Sequence, residues 1–122
     1  MALESITINT ITRHDLEQCL ERCLAQGAVT LLMIASPHRF QLGHIPGSQC
    51  FAVASLPHLP VDYPVIIYAA KQPSLVSDWA YWLLIERGFE VWLYAGGLRD
   101  WLEAGLPVQH TPLEVSSREV KQ

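Results

Sequence analysis

Three short, continuous and almost wholly apolar runs constrain this chain most: Val29–Ile34, in which Thr30 is the one polar residue, Val65–Tyr68 and Val91–Tyr94. A strand with one wet face alternates apolar and polar residues. A run without that alternation is buried on both faces, which is the condition of a central strand in a parallel sheet. Each run is preceded by a stretch with helical spacing or by a turn-rich connection. Strands alternating with helices predict an α/β fold, with a mainly parallel sheet covered on both sides and right-handed crossovers. The chain has 122 residues, half of them hydrophobic and 16% charged. That suits one domain with a core of its own and excludes a disordered or fibrous protein.

The remaining elements follow from local signals. Ile6 to Thr12 alternates and predicts a short strand. Thr12, with Asp15 three residues on, opens a helix carrying Leu16, Leu20, Cys23 and Leu24, which Gly27 closes. Cys19 and Cys23 on this helix read as core-facing thiols. Pro37 to Phe40 predicts a helical turn, Gly43 to Gly47 a rigid turn, Cys50 to Val53 a short strand, and Leu56 to Asp62 a Pro-rich connection. Ala69 to Pro73 reads as loop. Ser74 caps a helix through Arg87, ended by Gly88. Gly96-Gly97 turns into a helix over Leu98 to Ala104, closed by Gly105. The domain is expected to span 1–108, followed by a polar, loose tail over 109–122.

The charge balance of −4 offers no basic stripe for phosphates, so nucleic acid is not an expected partner. No apolar run approaches the roughly 20 residues of a membrane helix, and the N-terminus shows no signal peptide. Three cysteines are too few for a disulfide scaffold, and no Cys or His pairs stand at zinc spacing; neither a metal nor a cofactor is expected. Reduced thiols and this charge imply a cytoplasmic protein.

The motifs are more specific. Gly43-His44-Ile45-Pro46-Gly47, following an apolar strand and a Pro-containing turn, resembles the GHIPG signature of rhodanese-like domains. Gly88-Phe89, then Gly96-Gly97-Leu98-Arg99-Asp100-Trp101, then Gly105-Leu106-Pro107-Val108 resembles that family's closing pattern. The resemblance runs from Ile6 to Val108. It implies a three-layer rhodanese-like domain: a five-stranded, mainly parallel sheet flanked by helices. It also implies sulfur chemistry. In that family a cysteine directly follows the tyrosine at the end of a central strand. Its thiolate takes sulfur from a donor such as thiosulfate, cradled by backbone N–H groups at a helix start.

Here the residue after Tyr68 is Ala69, and a methyl group cannot be a nucleophile. The loop continues Ala70-Lys71-Gln72-Pro73-Ser74-Leu75-Val76-Ser77. With Ser77 on the family's Ser, Val76 stands for its Arg, and the loop is longer than the common form. Pro73 removes an N–H donor, and Asp78 would repel an anion. The family's Asp-x-Arg and later Glu fall on Met33, Ala35 and Arg39. These departures imply a rhodanese-like domain without sulfur transfer, serving as a binding, regulatory or interaction module for a partner protein or a small anion. The alternative is a sulfurtransferase acting through another thiol, with Cys50 as its candidate, although its apolar neighbours should raise its pKa.

Ala70, Lys71, Gln72, Ser74 and Ser77 form a candidate anion-binding remnant, beside the plainer reading of a helix cap and a solvated lysine. His44 reads as a brace for its turn rather than a base. The helix from Ser74 is apolar on more than one face, and Trp79, Tyr81 and Trp82 suggest an interface, such as a homodimer. Extra core packing would account for them equally.

Overall fold

A computed structural model describes residues 8–24, 26–70 and 74–110. Its sheet has five strands: β1 (Thr10–Ile11), β2 (Thr30–Ile34), β3 (Gln49–Cys50), β4 (Val65–Ala69) and β5 (Val91–Tyr94), in the order β1-β5-β4-β2-β3. Every ladder is parallel. The helices are α1 (Arg13–Cys19), α2 (Pro37–Leu42), α3 (Leu75–Glu86) and α4 (Gly97–Glu103).

The period of two along the strands divides the core. Leu32 and Ile34 of β2, with Val65 and Ile67 of β4, face α3, where they meet Ala80, Tyr81 and Leu84. Leu31 and Met33, with Ile66 and Tyr68, face the other way, onto Leu16 of α1 and Leu98 and Trp101 of α4. Burying a side chain of this size contributes about 1.5–3 kcal/mol, so the almost wholly apolar runs stabilise both faces of the sheet. This is the three-layer α/β fold expected from the sequence.

The closing motif explains itself locally. Trp101 Nε1 donates to Pro107 O at 2.8 Å and Leu106 N donates to Trp101 O, which folds the Gly105–Val108 segment back over α4. His44 braces its turn: Nδ1 donates to Phe40 O at 2.8 Å and its ring stacks on Phe40 at 3.8 Å. A two-way backbone bridge joins His44 to Gln109, and His110 Nδ1 reaches Leu42 O. Gln109 and His110, placed in the tail by sequence, are thus held to the domain; 111–122 lie outside the described residues.

Several boundaries differ from expectation. The strand expected over Cys50 to Val53 is Gln49–Cys50 instead. Cys50 lies opposite Met33, and beyond it Phe51 N donates to Met33 O before the chain enters the next helical segment. Val53–His58 then forms a 3-10 helix where a connection was expected. The first helix ends its α geometry at Cys19 and continues as a π turn over Leu20–Leu24. Among the described residues the first strand is only Thr10–Ile11, and it ends where Ile11 meets Tyr94, the last residue of β5. Ala69 belongs to β4 rather than to the loop, because it pairs with Ile34.

Candidate functional site

The chain leaves β2 towards β3 on one side and leaves β4 towards β5 on the other. The order of connections therefore reverses between β2 and β4. In open parallel sheets, ligand crevices form outside the strand carboxyl ends at such a switch point. Register places those ends side by side at Ile34 and Ala69. A groove of about 370 Å³ opens there, lined by Ile34, Ala35, Ser36, Phe51, Ala69, Ala70, Ser74 and Val76.

Each wall has a local cause. Ser36 N-caps α2, its hydroxyl accepting the Arg39 N–H at 3.2 Å, and this turns the chain away from the sheet. Ser74 N-caps α3 in the same way, accepting from Ser77 N at 3.2 Å, while Ser77 Oγ donates to Ser74 O. Ala70 O accepts the Arg99 N–H at 3.0 Å, which ties the end of β4 to α4. Both groove hydroxyls are thus engaged by backbone amides, and no charged side chain stands among the described lining.

The expected site residues fare differently. Ala69, 4% exposed, forms the groove floor at the end of β4, with Ala70 and Ser74 beside it. Ser77 is buried behind the cap. Lys71 and Gln72 lie outside the described residues. Cys50 sits on the edge strand, part-buried, its Sγ donating to Ala35 O at 3.3 Å. Burial pushes its thiol up from the ordinary range, as the apolar neighbours implied. Trp79 and Trp82 are 52% and 39% exposed, but Tyr81 is 1% exposed. Its hydroxyl accepts the Asn9 N–H at 2.9 Å, so Tyr81 is a core residue and not part of a partner surface.

Ile34, Ser36 and Phe51 were not singled out from sequence. The Ser-Pro turn after an apolar strand was a usable signal for Ser36. Phe51 had none, because it reaches the groove only once β3 ends. Among the described residues, no three His, Cys, Asp or Glu group as a metal site, and no helix is long and apolar enough to cross a membrane.

Comparison with known proteins agrees with this frame. A family model, that of the rhodanese-like domain, matches residues 15–104. The thiosulfate sulfurtransferase GlpE of Pseudoalteromonas translucida is 36% identical over 78 residues, covering 60% of this chain and 72% of that protein. A crystal structure of a Lactobacillus plantarum protein superposes with a TM-score of 0.75 at 20% identity, covering 89% of this chain and 94% of that one. A rhodanese-related protein of Thermoplasma volcanium gives a TM-score of 0.66 at 24% identity, covering 82% and 96%.

Proposed function

Because this chain belongs to the rhodanese-like domain family, we propose that it is a member that binds at its strand-end groove without performing sulfur transfer. The single observation carrying this is Ala69. It stands at the carboxyl end of β4, directly after Tyr68 and at the switch point of the sheet. A side chain that ends in a methyl group can neither attack a sulfur donor nor hold a persulfide. Its surroundings fit the loss. Val76 brings a branched apolar side chain to the groove, and the caps at Ser36 and Ser74 use their hydroxyls on their own helices.

Among the described residues the lining is apolar apart from the two capping serines and carries no charge, which suits an apolar side chain of a partner protein better than a small anion. A sulfurtransferase working through Cys50 is the competing reading. Against it stand a thiol pushed up by burial and already donating to Ala35 O, on a residue that does not line the groove.

The test is thiocyanate formation from thiosulfate and cyanide by the full chain, together with intact-mass measurement after exposure to thiosulfate alone. We expect no turnover above the buffer blank and no sulfur adduct. Turnover, or an adduct, that disappears in Cys50→Ser would overturn the reading.

A further inference from the structure

Helix α3 turns Ser77, Ala80, Tyr81 and Leu84 to the sheet. At about 100° per residue, the opposite stripe carries Leu75, Trp79, Trp82 and Glu86, with Asp78 and Leu83, and then Val76 and Ile85, at its margins. On a helix packed against a sheet this outer stripe is ordinarily polar. Here Leu75 is 87% exposed, and Trp79 and Trp82 stand in solvent on the next two turns. We propose that this stripe is the interface of a homodimer in which α3 packs antiparallel on α3 of a second copy. The inference is independent of what the groove binds.

Three features commit the stripe to a second copy. The first is spacing. Leu75, Trp79, Trp82 and Glu86 stand at i, i+4, i+7 and i+11, which is the seam spacing of paired helices. The second is area. Leu75, Val76, Trp79, Trp82 and Ile85 are 87%, 58%, 52%, 39% and 38% exposed, a contiguous apolar patch that, doubled across a two-fold axis, is of the order a specific interface needs.

The third is charge. Glu86 is the one charged residue at the four seam positions and lies at their C-terminal end, while Asp78 stands on the margin in the first turn. In a parallel pair two Glu86 carboxylates would face each other at the negative ends of both helices. In an antiparallel pair each Glu86 falls beside Ser74 and Leu75 of the other copy, at the positive end of that helix, and Trp79 meets the other copy's Trp82 across the axis. The stripe is therefore complementary to itself in one orientation.

The experiment is sedimentation velocity on the full chain, from low to high micromolar concentration. We expect a monomer–dimer equilibrium. Trp82→Ala should raise the dissociation constant at least about thirty-fold, as for an aromatic hot spot. Leu75→Glu should give a monomer, and because Leu75 makes little contact with the core, its circular dichroism and melting should match the parent. Glu86→Lys should weaken the antiparallel pair and would strengthen a parallel one. A parent that stays monomeric throughout, a dimer that Leu75→Glu leaves intact, or tightening by Glu86→Lys would each overturn the proposal. A parent that is monomeric alone and captures a different protein through this stripe would overturn it too.

Discussion

The hydroxyl of Tyr68 stands 2.8 Å from Oγ of Ser48. Ser48 spends its own proton on Ile45 O at 2.7 Å, so Tyr68 donates to Ser48 and accepts the Ile45 N–H at 2.9 Å. The residue before Ala69 is thus the anchor for the Gly43–Gly47 turn, and the floor of the groove and the turn are held by one buried network.

From this network, Tyr68→Phe should cost about 1–3 kcal/mol, since it leaves a buried N–H and a serine oxygen short of a partner. Burial pushes the Tyr68 phenol up to about 12. The folded chain therefore keeps its proton where the unfolded chain, titrating near 10, has lost it. The sign follows: this contribution is intact below pH 10 and is lost as pH rises from 10 to about 12. Tyr94, also pushed up by burial and by Asp100, adds in the same direction. Urea unfolding across that range should show a falling stability, with a shallower fall in Tyr68→Phe.

Asp100 ties together three elements away from the groove. It accepts from the Tyr94 hydroxyl and pairs with Arg13 at 3.1 Å, joining β5, α4 and α1. The Tyr94 hydrogen bond, and then Arg13, hold its carboxyl below the usual range. A lowered carboxylate stabilises above its ordinary pKa, and that stability is lost as pH falls through the native value. Asp100→Asn should cost roughly 1 kcal/mol at neutral pH, most of it from the partners left behind. Its thermal melts should flatten between about pH 5 and pH 2 relative to the parent. Gly96→Ala should act alike, because a Cβ there would meet Asp100 Cβ at 2.7 Å. Equal melting of all three proteins at pH 7 would refute the role given to Asp100.

How much of this was legible in the sequence depends on what each residue had to reveal. The strands at Leu31, Ile66 and Leu93 were readable because burial on both faces leaves an almost wholly apolar run. The motif glycines and Trp101 marked the turns that close the domain. The switch point between Ile34 and Ala69 was not readable, since strand order is a long-range property with no local signal. Tyr81 was misplaced for a related reason. On a helix apolar on more than one face, the period does not say which aromatic faces inward; the sheet decides that. Phe51 lines the groove because β3 ends at Cys50, and where an edge strand ends carries no local signal.

Cys50 supplies a check on the competing chemistry. With its thiol pushed up by burial, the thiolate fraction at neutral pH is smaller than for an exposed cysteine. Alkylation by iodoacetamide, followed by peptide mass analysis, should label Cys50 more slowly than a solvated thiol at pH 7. Its rate should keep rising with pH beyond the point where an exposed thiol levels off. Rapid labelling at pH 7 would mean an activated thiol and would reopen sulfur transfer through Cys50.

Restoring sulfur at position 69 tests whether the groove, and not only its missing atom, has departed from transfer chemistry. Ala69→Cys places a thiol at the end of β4, buried where the alanine is 4% exposed. The side chains around it do not favour an anion: Val76 and Phe51 are apolar, and no described lining residue carries a positive charge. A developing anion loses on the order of 10²–10³ in rate for each oriented donor missing, and the described lining side chains supply none that is free of a helix cap. Ala69→Cys should therefore form thiocyanate at or barely above the blank, even though the thiol is there to be titrated in the unfolded chain. Adding Val76→Arg to it should raise the rate, because a guanidinium at the start of α3 supplies both charge and N–H donors. Full activity from the single Ala69→Cys change would show that the groove has kept its cradle and that only the sulfur atom was lost.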